Sequence, residues 1–152
     1  MTRWIPHKLM RNIYISLIFL CFIACSNSDQ QRELSEFELE NGIGPITETL
    51  ELGSFDPALA NRGKEIYITL CVMCHGQNDS DIAPTLDGVL DSRSPEYVMN
   101  MILNPTGMIR WHPTRSDRKK YLTSMPYQAL TADEARAIVE FLRSESSNID
   151  LH

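Results

Sequence analysis

Two cysteines and a histidine lie within five residues of one another, in the segment Cys71-Val72-Met73-Cys74-His75. The pattern C-x-x-C-H is the attachment motif of a c-type haem. Two thiols at this spacing can each form a thioether with one of the two vinyl groups of a haem, and the adjoining histidine is then placed to bind the iron. The motif therefore predicts one covalently attached haem c, held through Cys71 and Cys74 and ligated by His75.

Three other interpretations of this motif are open. A redox-active C-x-x-C of the thioredoxin type belongs to a βαβ unit, and no such alternation surrounds Cys71. A structural zinc site usually takes four nitrogen or sulfur ligands, and no second cysteine pair follows Cys74. The third interpretation is a chance pair of cysteines beside a histidine. Haem attachment is the interpretation that the sequence favours.

Composition limits the remaining function classes. The chain has 152 residues, of which 22% are charged and 43% hydrophobic, as is typical of one globular domain. Its formal net charge of −6 argues against a nucleic-acid-binding protein, since such proteins carry a basic patch or stripe. The sequence shows no acid–base pair or nucleophile at a second site, so we expect no enzymatic activity and no small-molecule substrate.

The first residues have the pattern of an export signal. Residues 1–11 carry three lysines or arginines and no acidic residue, and residues 13–24 form a nearly continuous apolar run. The run is shorter than the ~20 residues that a membrane-spanning helix needs, whereas a basic segment before a short apolar one is typical of a signal peptide. We predict a lipoprotein signal peptide over 1–24 and a place on the periplasmic side of the bacterial cell envelope. A buried helix is the alternative.

The end of the apolar run resembles the lipobox of bacterial lipoproteins. In Phe22-Ile23-Ala24-Cys25 a small residue directly precedes the cysteine. In that family the cysteine becomes the lipidated first residue, which implies a membrane anchor at Cys25. An ordinary signal peptide with an incidental Cys25 is the alternative. Cleavage there would make the chain more acidic, which favours partners with basic docking patches.

Residues 25–54 are polar and acidic, with few side chains that could form a core. This composition predicts a flexible acidic linker that would hold the domain away from a membrane. Residues 43–52 leave a second possibility open, namely that this stretch packs on the domain as an extended strap. Residues 147–152 are expected to be a frayed tail.

Three helices are predicted in the domain. The first covers 56–71 and starts with an aspartate N-cap and a proline. The second covers 94–103 and stops before a proline, since the preceding residue disfavours helix. The third covers 131–144 and starts with a T-x-x-E capping box. Glycine, tryptophan and proline make 104–124 a predicted loop, with a short basic helix at 116–122.

The helix that leads into C-x-x-C-H, the later Met125-Pro126 pair and the capped last helix together resemble the class I cytochromes c. The resemblance covers residues 55–146. It implies an all-α domain of three to five helices around one haem. It also implies that the protein transfers single electrons between redox protein partners.

The resemblance further implies roles for individual residues. Met125 would be the sixth ligand of the iron, and the carbonyl of Pro84 would bond to the His75 ring and orient it. Gly63 and Phe141 would lie where the first and last helices cross. Other candidates for the sixth ligand are Met99, Met101, Met108 and His112.

A narrower resemblance concerns residues 42–45, 93–96 and 99–105, which are similar to the small lipoprotein cytochromes encoded with nitrous-oxide reductase. We therefore expect a membrane-tethered monohaem carrier that accepts electrons from a quinol-oxidising complex and delivers them to a terminal reductase or oxidase. Two alternatives remain. One is a haem enzyme or gas-binding protein with an open sixth iron position, and the other is a fixed subunit of a larger redox complex.

Overall fold

The structure, a computed structural model, describes residues 33–76, 82–111 and 124–146, without the side chains of Arg110 and Trp111. The described residues from Leu34 onwards belong to one compact unit. Several predictions fall outside the described residues: the signal peptide 1–24, lipidation of Cys25, His112, the basic helix 116–122 and the tail 147–152.

Within the described residues the structure contains helices and no strands, which confirms the all-α prediction. A 3₁₀ turn at Val89–Asp91 lies between the second and third α-helices. The α-helices are α1 (Glu36–Asn41), α2 (Pro57–Leu70), α3 (Pro95–Leu103), α4 (Pro105–Trp111) and α5 (Ala132–Ser144). None of the described helices is long and apolar enough to cross a membrane.

The three predicted helices are confirmed, and each begins at its predicted N-cap. Asp56 accepts hydrogen bonds from the first turn of α2, and Pro57 occupies the first helical position. Ser94 accepts from the backbone N–H of Tyr97 at the start of α3. Thr131 forms its capping box at the start of α5. These side chains satisfy backbone donors that a helix start otherwise leaves unpaired.

Helix α4 corrects the predicted loop, because residues 105–111 are helical. Pro105 stands at the first helical position, where its missing N–H costs nothing, and Oδ1 of Asn104 accepts from the N–H of Gly107 at 3.2 Å. Gly107 does not interrupt the helix. The Asn104 side chain approaches its backbone so closely that a Cβ atom on residue 107 would overlap with that side chain. The helix places Met108 in the core with no exposed surface.

The core is built mainly between α2 and α5, which share the largest helix–helix interface, with α3 packed against α5. Gly63 lets the backbones of α2 and α5 meet, because a Cβ atom on Gly63 would overlap with the carbonyl oxygen of Ala137. One turn further along both helices, the ring of Phe141 packs against Tyr67 at 5.2 Å between centroids. At the predicted crossing of the first and last helices, the residue opposite Gly63 is Ala137. Phe141 lies one turn further along α5 and has Tyr67 as its ring partner.

Residues 41–53, hereafter the strap, begin at the last residue of α1 and then run across α3 without regular secondary structure. Asn100 holds the strap with three hydrogen bonds: its Oδ1 accepts from the N–H of Ile46 at 2.9 Å, and its Nδ2 donates to the carbonyls of Ile46 and Asn41. Nδ2 of Asn104 donates to a further strap carbonyl, and Glu96 accepts from the N–H of Leu50 at 2.7 Å. Positions 96, 100 and 104 repeat every four residues, so one face of α3 binds the backbone of the strap.

The end of the strap is bound by charged side chains of α5. Arg136 and Arg143 donate to the carbonyls of Leu52 and Gly53. Both arginines also pair with Glu140, at 2.6 and 3.0 Å, and this carboxylate has no exposed surface. Of the two possibilities left open for residues 43–52, the structure shows the second, packing on the domain, and the flexible-linker prediction for 25–54 does not hold over the strap. Polar side chains distant in sequence form hydrogen bonds with the strap backbone.

Candidate haem-binding site

The segment from Cys71 to His75 forms a tight turn directly after α2. The N–H groups of Cys71 and Val72 both donate to the carbonyl of Tyr67, at 2.8 and 3.0 Å. The N–H groups of Cys74 and His75 both donate to the carbonyl of Cys71, at 3.0 and 2.8 Å. Backbone hydrogen bonds therefore extend beyond the end of α2, and Cys71, Cys74 and His75 all lie on this one turn.

Cys71 and Cys74 do not form a disulfide with each other, and both are partly exposed. Burial, followed by the charge of Cys74, raises the pKa of the Cys71 thiol to about 11. A redox-active C-x-x-C has a cysteine with a lowered pKa, so the environment of Cys71 is the opposite of that of a thioredoxin-type pair. Among the described residues, no group of three or more His, Cys, Asp and Glu side chains could hold a metal ion.

His75 makes the contact that was predicted for it. Its Nδ1 lies 2.8 Å from the carbonyl oxygen of Pro84. A carbonyl oxygen only accepts, so Nδ1 carries the proton and the lone pair is left on Nε2, the nitrogen that can bind iron. Two cysteines that form no disulfide, beside an imidazole with this tautomer, fit the attachment chemistry of a haem c.

Tyr67 is a site residue that the sequence did not reveal, because it lies outside the C-x-x-C-H motif. Its hydroxyl donates to the carbonyl of His75 at 2.5 Å, and its side chain is 8% exposed. Burial, followed by the charges of Cys71, Asp87 and Glu145, raises the pKa of Tyr67 to about 12. The available signal was chemical: a buried tyrosine needs a partner for its hydroxyl.

The methionines differ in their burial. Met108 and Met99 are core residues with 0% and 2% exposure, so both are enclosed by protein. Met125 and Met101 are partly buried and pack against the edge of the same core, as Cys71 does. Met125 and Cys71 thus pack against the same core, and ligation of the iron by Met125 stays a prediction.

Comparison with known proteins agrees with this geometry. The family model for cytochrome c matches residues 60–146. A solved cytochrome c from Rhodothermus marinus is 39% identical to this chain, with a TM-score of 0.67 over 75% of this chain and 99% of the other. No curated protein matches significantly.

Two engineered forms of the Rhodothermus marinus protein are also similar. One is 36% identical with a TM-score of 0.64, and the other, bound to a carbene intermediate, is 35% identical with a TM-score of 0.62. Each comparison covers 73% of this chain and 97% of the other.

The fold and the haem-binding turn define a class I c-type cytochrome. The chain belongs to the cytochrome c family. It carries a covalently attached haem c, and its chemistry is haem-based electron transfer.

Proposed function

We propose that this cytochrome is a one-electron carrier, anchored through a lipid on Cys25 to the periplasmic side of a bacterial membrane. It accepts an electron from a quinol-oxidising complex and delivers it to a terminal reductase or oxidase. The observation that carries the proposal is the hydrogen bond between Nδ1 of His75 and the carbonyl of Pro84, at 2.8 Å. This bond fixes the proximal ligand in one orientation and leaves little need for rearrangement between oxidation states.

When bound, the haem would supply the one-electron redox chemistry. His75 and, in this proposal, Met125 would ligate its iron. A thioether ligand raises the reduction potential relative to two histidines. Closing the sixth position suits electron transfer, because no coordination site is left for a substrate.

Packing of the strap limits how far the carrier could move from a membrane. Leu34, where the compact unit begins, is nine residues after Cys25. At ~3.3–3.6 Å per residue the tether would reach roughly 30 Å. A free linker ending at residue 54 would reach roughly 100 Å. The partners in this proposal are therefore complexes whose electron-exchange sites lie close to the membrane surface.

The narrower resemblance concerns nitrous-oxide reductase as the electron acceptor. Residues 42–45 lie in the strap, and residues 93–96 and 99–105 overlap α3 and its C-cap, to which the strap binds through Asn100 and Asn104. The stretches that resemble cytochromes of nitrous-oxide reductase thus contribute to the same contact, the binding of the strap to α3. Nitrous-oxide reductase remains one member of the acceptor class that we propose.

Membrane vesicles from the source bacterium provide the test. After anaerobic addition of a quinol, the haem of the added holoprotein should be reduced faster than quinol alone reduces it, and addition of the terminal electron acceptor should reoxidise it. Cys25→Ala is the matched control: it should keep its haem and fractionate with the soluble proteins. Membranes that neither reduce nor reoxidise the haem would contradict the carrier role. A Cys25→Ala variant that has lost its signal peptide and still stays with the membranes would contradict the anchor.

A further inference from the structure

Tyr67 forms hydrogen bonds with both ends of the haem-binding turn. Its backbone carbonyl accepts from the N–H groups of Cys71 and Val72, where the turn begins. Its hydroxyl donates to the carbonyl of His75, where the turn ends. We propose that Tyr67 is a positioning residue for the proximal iron ligand, with the hydroxyl fixing the backbone of His75 and thereby the plane of its imidazole.

The tyrosine itself has little freedom to move. Its ring lies in the α2–α5 interface against Phe141, with 5.2 Å between the ring centroids and 49° between the ring planes. In the preceding turn of α2, Gly63 is in backbone contact with Ala137. The ring that carries the hydroxyl is therefore held in the interface between α2 and α5, which gives the turn a fixed hydrogen-bond partner.

The contacts of Tyr67 and Pro84 with His75 are complementary. Pro84 binds Nδ1 and so restrains rotation of the ring. Tyr67 binds the carbonyl and so restrains the backbone from which the ring projects. A ring anchored only at Nδ1 could still tilt as its backbone shifted, and the hydrogen bond to Pro84 would then weaken. That bond raises the basicity of the imidazole, so its weakening should favour ferrous iron.

Tyr67→Phe tests this proposal because it keeps the ring and its packing and removes only the hydroxyl. The variant should still attach haem, but its midpoint potential should rise. The EPR g values of its oxidised form should also change, since they depend on the orientation of the axial imidazole.

Tyr97→Phe is the matched control. Tyr97 is also 8% exposed and belongs to the same core, and its phenol makes no hydrogen bond with the described residues. It should leave both the potential and the g values as they are in the unaltered protein. A Tyr67→Phe variant whose potential and g values equal those of Tyr97→Phe would overturn the proposal.

A measurement on the unaltered holoprotein does not depend on how the variants fold. The Tyr67 hydroxyl proton should exchange slowly with water and be visible by NMR in the reduced protein, as expected for a buried donor with a fixed acceptor. A hydroxyl proton that exchanges too fast to be observed, while buried backbone N–H protons of α5 remain visible, would also overturn the proposal.

Discussion

The side-chain amide of Asn100 fills the space that a side chain at Gly44 would need. A Cβ atom on Gly44 would overlap with Oδ1 of Asn100, the same oxygen that accepts from the N–H of Ile46. The strap can approach α3 this closely only because residue 44 has no side chain. Asn100 has no exposed surface, and its donor and acceptor groups are both used by the strap.

Asn100→Ala should destabilise the holoprotein. The substitution leaves a backbone N–H and two carbonyls of the strap without their partner, and each buried unsatisfied group costs about 1–3 kcal/mol. Partial access of water to the strap should reduce the total to about 2–4 kcal/mol. Urea unfolding followed by the haem absorbance measures it. Asn61→Ala, at an exposed position of α2, should change the free energy of unfolding by less than about 0.5 kcal/mol; equal effects of the two substitutions would show that the strap contributes nothing.

Gly63→Ala should separate α2 from α5. The added methyl group would overlap with backbone atoms of Ala137 and Ile138, which cannot rotate away as a side chain could. Overpacking of this kind typically costs about 1–3 kcal/mol and sometimes more. Thermal unfolding of the holoprotein gives the comparison, with Lys64→Ala on the exposed side of the same helix as control. A melting temperature as high as that of the control would mean that the helices do not meet at this point.

Glu140 should make stability fall in acid. Burial alone would raise the pKa of this carboxyl, but hydrogen bonds from the N–H of Asp56 and from Arg136 and Arg143 outweigh burial and lower the pKa. A carboxyl whose pKa is lower in the folded state stabilises the fold above its unfolded-state pKa of about 4.3, and this contribution is lost as the pH falls through the folded-state value.

Glu140→Gln should therefore cost about 1–3 kcal/mol at pH 7, because a charged partner of two arginines is replaced by a neutral one. The difference from the unaltered protein should shrink as the pH falls below about 4. Urea unfolding at pH 7, 5 and 3 measures it, with Glu65→Gln on the exposed surface of α2 as control. A difference that stays constant over this range would show that the Glu140 charge is not what stabilises the end of the strap.

Local signals in the sequence were sufficient to predict the three helices that begin with a standard N-cap and to recognise the haem-attachment motif. Asp56, Ser94 and Thr131 each cap a helix through neighbours within three residues, so nothing distant in sequence was needed to recognise them. The contact of His75 with Pro84 followed from the family resemblance and is present.

The strap could not be predicted in the same way, because its partners lie 46 to 90 residues away. Its own composition resembles that of a linker, and what orders it is the spacing of Glu96, Asn100 and Asn104 on another helix. For α1 a signal did exist: Ser35 and Glu38 form a capping box. The acidic composition around that box favoured a linker instead.

Carbon monoxide binding tests most directly whether this protein is an electron carrier with both axial positions of its iron filled by the chain. The reduced holoprotein should show little change in its absorbance spectrum under carbon monoxide at neutral pH. Met125→Ala should bind the gas at once and should have a lower midpoint potential, since a thioether ligand favours ferrous iron. Met108→Ala, which removes a fully buried side chain, should lose about 2–5 kcal/mol of stability and still exclude the gas. Immediate binding of carbon monoxide by the unaltered reduced protein would contradict the account, and so would a Met125→Ala variant that excludes the gas as the unaltered protein does.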